Sequence, residues 1–295
     1  MDAVYDLAAK WAAAGHLPEP FGHAFMLRGL LAALLIGPLL GAIGALVVTR
    51  RLVFFTQTVG QASLTGVALG LLFGEAVGAT YGGTYGFCLL VAFAMLYLRQ
   101  RSGASADTIV GVVLAQVLGL GIVMLVLVTR RFDVHQVEAV LFGSLITVTD
   151  LDLAILAGTG IVVAALLARF FNAVMLVSFN PALARLRGFD PLLLDYLFVT
   201  LVTVIVVAGL KMVGALLVLV LIVLPAAAAR NLARSLTGFF WASIGFGTLG
   251  TVSGLLISAV WPIPTGGAIV LAASLLFYAT LVLKLALRPG ASPQA

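Results

Sequence analysis

Two glutamines four residues apart, Gln57 and Gln61, stand inside an apolar run and fall on one face of any helix that the run forms. Ser63 and Thr65 follow close by, and Gln116 adds a third amide inside a later run. An amide brings a carbonyl oxygen and an N–H₂ group without net charge. In an apolar setting it either hydrogen-bonds across helices as packing glue or lines a path for a polar solute. Spacing alone leaves both readings open. A second set, Asp133, His135 and Glu138, has the donor types of a weak metal-capture site, although solvated loop charge is the plainer reading. His16 and His23 read as interfacial residues, Asp107 as a helix cap, and Glu75 as a solvated carboxylate at a run's end. The lone Cys88, within an apolar run, excludes an internal disulfide and a cysteine metal cluster. It reads as a small hydrophobe.

The elements that position these residues are membrane spans. Of 295 residues, 63% are apolar and 9% charged, against about 25% charged in soluble domains. Mean hydropathy is +1.22. The charges sit at or near the ends of the apolar runs, as a bilayer requires. The runs lie at about 27–49, 55–74, 80–98, 107–128, 151–171, 192–210, 213–229, 238–260 and 266–286. Lys211 separates two of them so narrowly that eight or nine spans fit. The fold class is therefore all-α, a polytopic transmembrane helical bundle.

Arg50, Arg51, Arg99, Arg101, Arg169, Arg185, Arg187, Arg230, Arg234, Lys284 and Arg288 fall on one side. Lys10, Arg28, Arg130, Arg131 and Lys211 fall on the other, which makes the first side cytoplasmic. Residues 1–26 then form an extracytoplasmic amphipathic segment, 27–288 the transmembrane domain and 289–295 a cytoplasmic tail. Asp2, Asp6 and Glu19 argue against a cleavable signal peptide. The net charge of +5 follows from span-end arginines and points to the membrane rather than to nucleic acid. Glycines at 37, 41 and 44, at 60, 66 and 70, and at 245, 247, 250 and 254 fit close helix packing. Pro225 predicts a kink within a span.

Residues 178–196, SFNPALARLRGFDPLLLDY, break the pattern. Asn180 before Pro181 starts a helix, Gly188 ends it and Pro191 opens the next span, leaving a short capped helix suited to docking a partner protein. No G-x-x-x-x-G-K-[ST] motif is present, so nucleotide binding falls to another chain. No catalytic pair lies at membrane depth. Nor does a charged residue that would couple an ion gradient, although a passive channel stays open.

In these segments the chain resembles the permeases of bacterial ABC importers for divalent metals, the zinc and manganese uptake family, from about Phe25 to Leu287. The likeness rests on Arg50-Arg51 with the helix that follows, Asp107-Thr108 with Gly111, and Leu141-Phe142-Gly143. It continues through Asn180-Pro181-Ala182-Leu183-Ala184 with Gly188, the run from Leu224-Pro225 to Arg230, and the turn at Pro264-Thr265-Gly266. The resemblance implies a homodimer in the bacterial inner membrane, with cytoplasmic ABC ATPase subunits and an extracytoplasmic solute-binding protein. It implies ATP and Mg²⁺ on the ATPase and no cofactor in this chain. It makes Asn180–Asp190 the coupling helix, carried by Asn180, Pro181, Ala182, Leu183, Ala184 and Gly188. It places Gln57 and Gln61 where similar permeases commonly carry aspartate and histidine as path-lining metal ligands. Gln116 alone reads first as packing glue, with a place on the same path as the second reading. Amides hold Zn²⁺ or Mn²⁺ more weakly than aspartate and histidine do. Two alternatives follow: a non-metal cargo, or a stand-alone channel or secondary transporter.

Overall fold

The computed structural model describes residues 24–75, 80–129, 148–261 and 263–287. Every regular element among them is a helix: α1 Ala24–Thr49, α2 Val53–Leu72, α3 Tyr81–Arg101, α4 Ala106–Thr129, α5 Asp150–Phe179, α6 Pro181–Leu186, α7 Pro191–Val213, α8 Ala215–Leu232, α9 Leu236–Val260 and α10 Thr265–Leu287. His16, His23, Asp133, His135, Glu138, Leu141–Gly143 and the 289–295 tail lie outside the described residues, as does nearly all of the expected amphipathic segment.

Among the described residues, nine long helices fall on the nine expected runs. Near Lys211 the chain forms two helices, divided at Gly214. With φ 84° and ψ 160° Gly214 takes a conformation open essentially only to glycine, and it alone separates α7 from α8. Among the described residues, seven helices are long and apolar enough to cross a membrane. α2 and α8 are not among them: Thr56, Gln57, Thr58, Gln61, Ser63 and Thr65 dilute α2, and the apolar part of α8, Leu217–Leu232, is shorter.

Two elements depart from expectation. α5 continues to Phe179, about two turns past the run's predicted end near residue 171. Arg169 does not stop it: the guanidinium lies 5.4 Å from the Phe170 ring centroid, and the long side chain carries its charge away from the helix. Asn180 and Pro181 end α5 instead. In α4 the cap is Ser105, whose Oγ accepts from the Thr108 N–H at 3.2 Å, while Asp107 sits in the first turn. α8 runs through Pro225 unbroken.

The chain divides into two units. One contains α1, the start of α5, α8 from Val220, and α9 and α10. Its seam is built on small residues. A Cβ on Gly41 would lie 2.5 Å from the Ser243 carbonyl oxygen and one on Gly37 2.8 Å from that of Gly247, so α1 and α9 touch backbone to backbone. The Ser243 and Thr251 hydroxyls close the seam, donating to the carbonyls of Gly41 at 2.7 Å and Ala33 at 3.2 Å. At the far end of α1, Arg28 pairs with Asp150 at 2.8 Å.

The second unit contains α2–α4, most of α5, α6, α7 and the start of α8, with α2 packed on α3, α4 and α7. Glycines set the α2–α3 approach: a Cβ on Gly83 would lie 2.6 Å from the Gly70 Cα. The same glycines correct the reading of Glu75. Its carboxylate is tucked against Gly70 and Gly82, and Oε1 accepts the Gly83 N–H at 3.0 Å. Glu75 thus satisfies the positive end of α3 instead of standing in solvent. Cys88 is buried and points its Sγ at the Val59 carbonyl, 3.5 Å away, as a small packing residue.

Candidate functional site

α2 carries six polar side chains in ten residues, and they divide cleanly by satisfaction. Thr56 donates to the Val53 carbonyl at 2.6 Å, Thr58 to Phe54 at 3.0 Å and Ser63 to Gly60 at 2.6 Å. Thr65 reaches the neighbouring helix, donating to the Val117 carbonyl at 3.3 Å. Gln57 and Gln61, half-buried on one face, make no hydrogen bond among the described residues. Gly60 stands on the same face. It is buried, yet no heavy atom lies within 4 Å of the place a Cβ would take. Two amides with free donors and acceptors therefore border open space. A gluing amide would show a partner, since an unmade hydrogen bond in an apolar setting is costly.

Gln116 is not brought to this pair. The buried stripe of α4 is Ile109, Val113, Val117 and Gly121. Gln116 lies off that stripe, exposed in line with the exposed Val112, Leu120 and Val123.

Seven residues before Gln57, Arg50 makes the opposite arrangement. Its side chain is 8% exposed. Nε donates to Ser178 Oγ at 2.7 Å, Nη1 to Asp195 Oδ1 at 2.8 Å and Nη2 to the Val174 carbonyl at 2.8 Å. The guanidinium stacks on Phe198, 4.4 Å from the ring centroid. Burial lowers its pKa from the ordinary arginine value, Asp195 opposes that shift, and the positive charge of Arg99 adds to it. Ser178 and Val174 belong to the end of α5, and Asp195 and Phe198 to the start of α7. Arg50 thus ties both arms that flank α6 to the turn from which α2 begins. Sequence reasoning singled out the double arginine as a topology marker and missed this role, because the partners lie 124 to 145 positions away.

α6 itself has the expected caps. Asn180 Oδ1 accepts the Leu183 N–H at 3.0 Å and Pro181 takes the first helical position. Gly188, at φ 80°, ends the element, with its N–H on the Arg185 carbonyl at 3.0 Å and that of Phe189 on Ala184 at 3.0 Å. Ala184 is fully buried, whereas Pro181, Ala182, Leu183 and Leu186 are exposed, Leu186 to 85%. Asp190 then caps α7, accepting the Leu192 N–H at 2.9 Å. A six-residue helix with both ends closed and apolar side chains projecting from it has the form of a docking knob.

A bundle of long apolar helices carrying an exposed, capped knob has the form of a membrane subunit that works with other chains. The comparisons give its family. Residues 22–284 match the ABC 3 transport family, so the chain belongs to it. It is 31% identical over 253 residues to the manganese import system permease protein ScaB of Streptococcus gordonii, covering 86% of this chain and 89% of that one. It is 28% identical over 257 residues to the high-affinity zinc uptake system membrane protein ZnuB of Haemophilus influenzae, covering 87% and 95%. Among solved structures, PsaBC from Streptococcus pneumoniae in complex with Fab superposes with a TM-score of 0.79 at 27% identity, covering 97% of this chain and 99% of that one. The chain is a multi-pass membrane permease subunit of an ABC transporter, and ATP hydrolysis belongs to a separate ABC ATPase.

Proposed function

We propose that the chain carries divalent metal ions inward across the bacterial inner membrane, as a homodimer powered by cytoplasmic ATPases that bind ATP and Mg²⁺ and supplied by an extracytoplasmic solute-binding protein. The observation that carries the path assignment is the Gln57–Gln61 face, unpartnered and bordering open space in α2. Relatives named for manganese and zinc uptake support the cargo class. Neutral carbonyl oxygens suit an oxygen-preferring ion such as Mn²⁺ better than Zn²⁺, and they bind either weakly. Such a face lets an ion through rather than storing it, leaving selection to the binding protein. The second copy belongs on the exposed face of α4, because Gln116 would be costly against lipid.

α6 is the coupling helix in this reading, with the Arg50 end cytoplasmic and the Arg28 end outside. Force on the knob moves the ends of α5 and α7, and Arg50 passes that movement to the root of α2, two turns below the amides. Uptake of Mn²⁺ into proteoliposomes holding the complete complex, with its own binding protein, tests the function. ATP-dependent accumulation is expected. Metal flux without ATP would favour a channel, and no flux of Mn²⁺ or Zn²⁺ with an active ATPase would point to another cargo.

A further inference from the structure

A cleft in the second unit opens where the Arg50 ends of α2, α3, α4, α5, α6 and α7 meet, with a volume of about 620 Å³. That falls within the range of ligand sites, about 300–1,000 Å³. It is separate from the candidate path: α2 contributes Phe55, which lies about 200° around the helix from Gln57. Its chemistry is two-sided. Phe55, Met95 and Val199 are among an apolar lining, while Arg51, Arg99 and Arg185 stand with Arg50 around the opening. Among the described residues, Asp195 is the only acid that lines it, and Arg50 already engages that carboxylate at 2.8 Å. Arg51, Arg99 and Arg185 have no acidic partner among the described residues, so three uncompensated like charges line one cleft.

We propose that this cleft binds an anionic phospholipid of the cytoplasmic leaflet, with its phosphate among Arg51, Arg99 and Arg185 and its acyl stem along the Phe55–Met95–Val199 wall. Charge complementarity chooses the headgroup, because three unpaired guanidiniums in a confined opening offer a fork for phosphate oxygens. The apolar lining chooses a lipid over free phosphate or an acidic protein loop, neither of which would use it. The level also fits: basic pockets between helices on the cytoplasmic side are where acidic headgroups are held. The site rests on the orientation proposed above, but lipid retention can be read whichever way the chain lies.

The test is native mass spectrometry of the complete complex released from nanodiscs that contain equal phosphatidylglycerol and phosphatidylcholine. Retained phosphatidylglycerol is expected in the wild type. Arg51→Gln/Arg99→Gln, both exposed and outside the Arg50 clamp, should weaken that retention roughly thirtyfold. Arg51→Lys/Arg99→Lys should restore most of it. Arg230→Gln/Arg234→Gln removes the same charge elsewhere and should retain the lipid like the wild type. Equal retention of the two lipids, or equal loss in both glutamine pairs, would overturn the site. Displacement of the lipid by inorganic phosphate at millimolar concentration would reassign the cleft to a free anion. Lipid present on the permease alone but absent from the complex would reassign it to the ATPase.

Discussion

Arg50 and the Gln57–Gln61 pair lie within twelve residues of one another and treat polarity in opposite ways. Arg50 brings a full charge and engages all three of its guanidinium nitrogens: three hydrogen bonds, one of them to a carboxylate, and one aromatic face hold it. The glutamines bring no charge and make no hydrogen bond among the described residues, beside a glycine that faces open space. A polar group at a helix junction that is fully partnered acts as a fastener, because breaking it strands a buried charge. One that is left unpartnered, while its hydroxyl neighbours on the same helix are all satisfied, is free to meet a passing solute, which is the role proposed for Gln57 and Gln61. In the proposed reading the two regions are fixed point and conduit, the first in the turn before α2 and the second on α2 itself.

Arg50→Met should have the largest effect. It leaves Asp195 without its cation and removes three hydrogen bonds, at a cost of roughly 2–4 kcal/mol after allowing for the part-exposed carboxylate. Thermal unfolding of the purified permease in detergent should show a loss of several degrees. A variant as stable as the wild type would remove the fastener from the account. Gly188→Pro is next. Proline fixes φ near −65° where Gly188 sits at 80°, and it removes the N–H that reaches the Arg185 carbonyl. ATP hydrolysis should continue with transport reduced at least tenfold, measured as metal moved per ATP, while the subunits still assemble. Unchanged stoichiometry would exclude α6 as the coupling element.

Gly60 sharpens the conduit side. Gly60→Leu should lower metal flux about tenfold without lowering the unfolding temperature, since its side chain enters open space. Gly60→Ala should raise helix stability by about 0.5–1 kcal/mol and leave flux nearly unaltered. Destabilisation by alanine would mean that the space is filled. Smallest in structural terms, Gln57→Asp with Gln61→His supplies a carboxylate and an imidazole at the same spacing. Metal retained by the purified protein, read by elemental analysis, should increase, most strongly for Zn²⁺.

Hydropathy located the helices well because lipid imposes length and polarity on every span at once. Its failures are local and have physical causes. Arg169 marked a span end too early, because a long side chain can lift its charge off a helix that continues; Arg169 leans on Phe170 while α5 runs on to Phe179. Glu75 read as solvated because nothing in its own type reveals that Gly70, Gly82 and Gly83 make a recess for its carboxylate. The amides were visible as a same-face pair, and the caps of α6 could be read directly from Asn180, Pro181 and Gly188. Arg50 was visible only as charge. Its partners lie on two helices more than 120 positions away, and no periodicity in the chain records such a pairing.

The most direct test is the double variant Gln57→Ala/Gln61→Ala, measured for unfolding temperature and for ATP-driven Mn²⁺ uptake on the same preparation. Amides that line a path should be lost without any fall in unfolding temperature, while uptake drops about tenfold. Lower stability with uptake intact would make the pair packing glue and contradict the conduit.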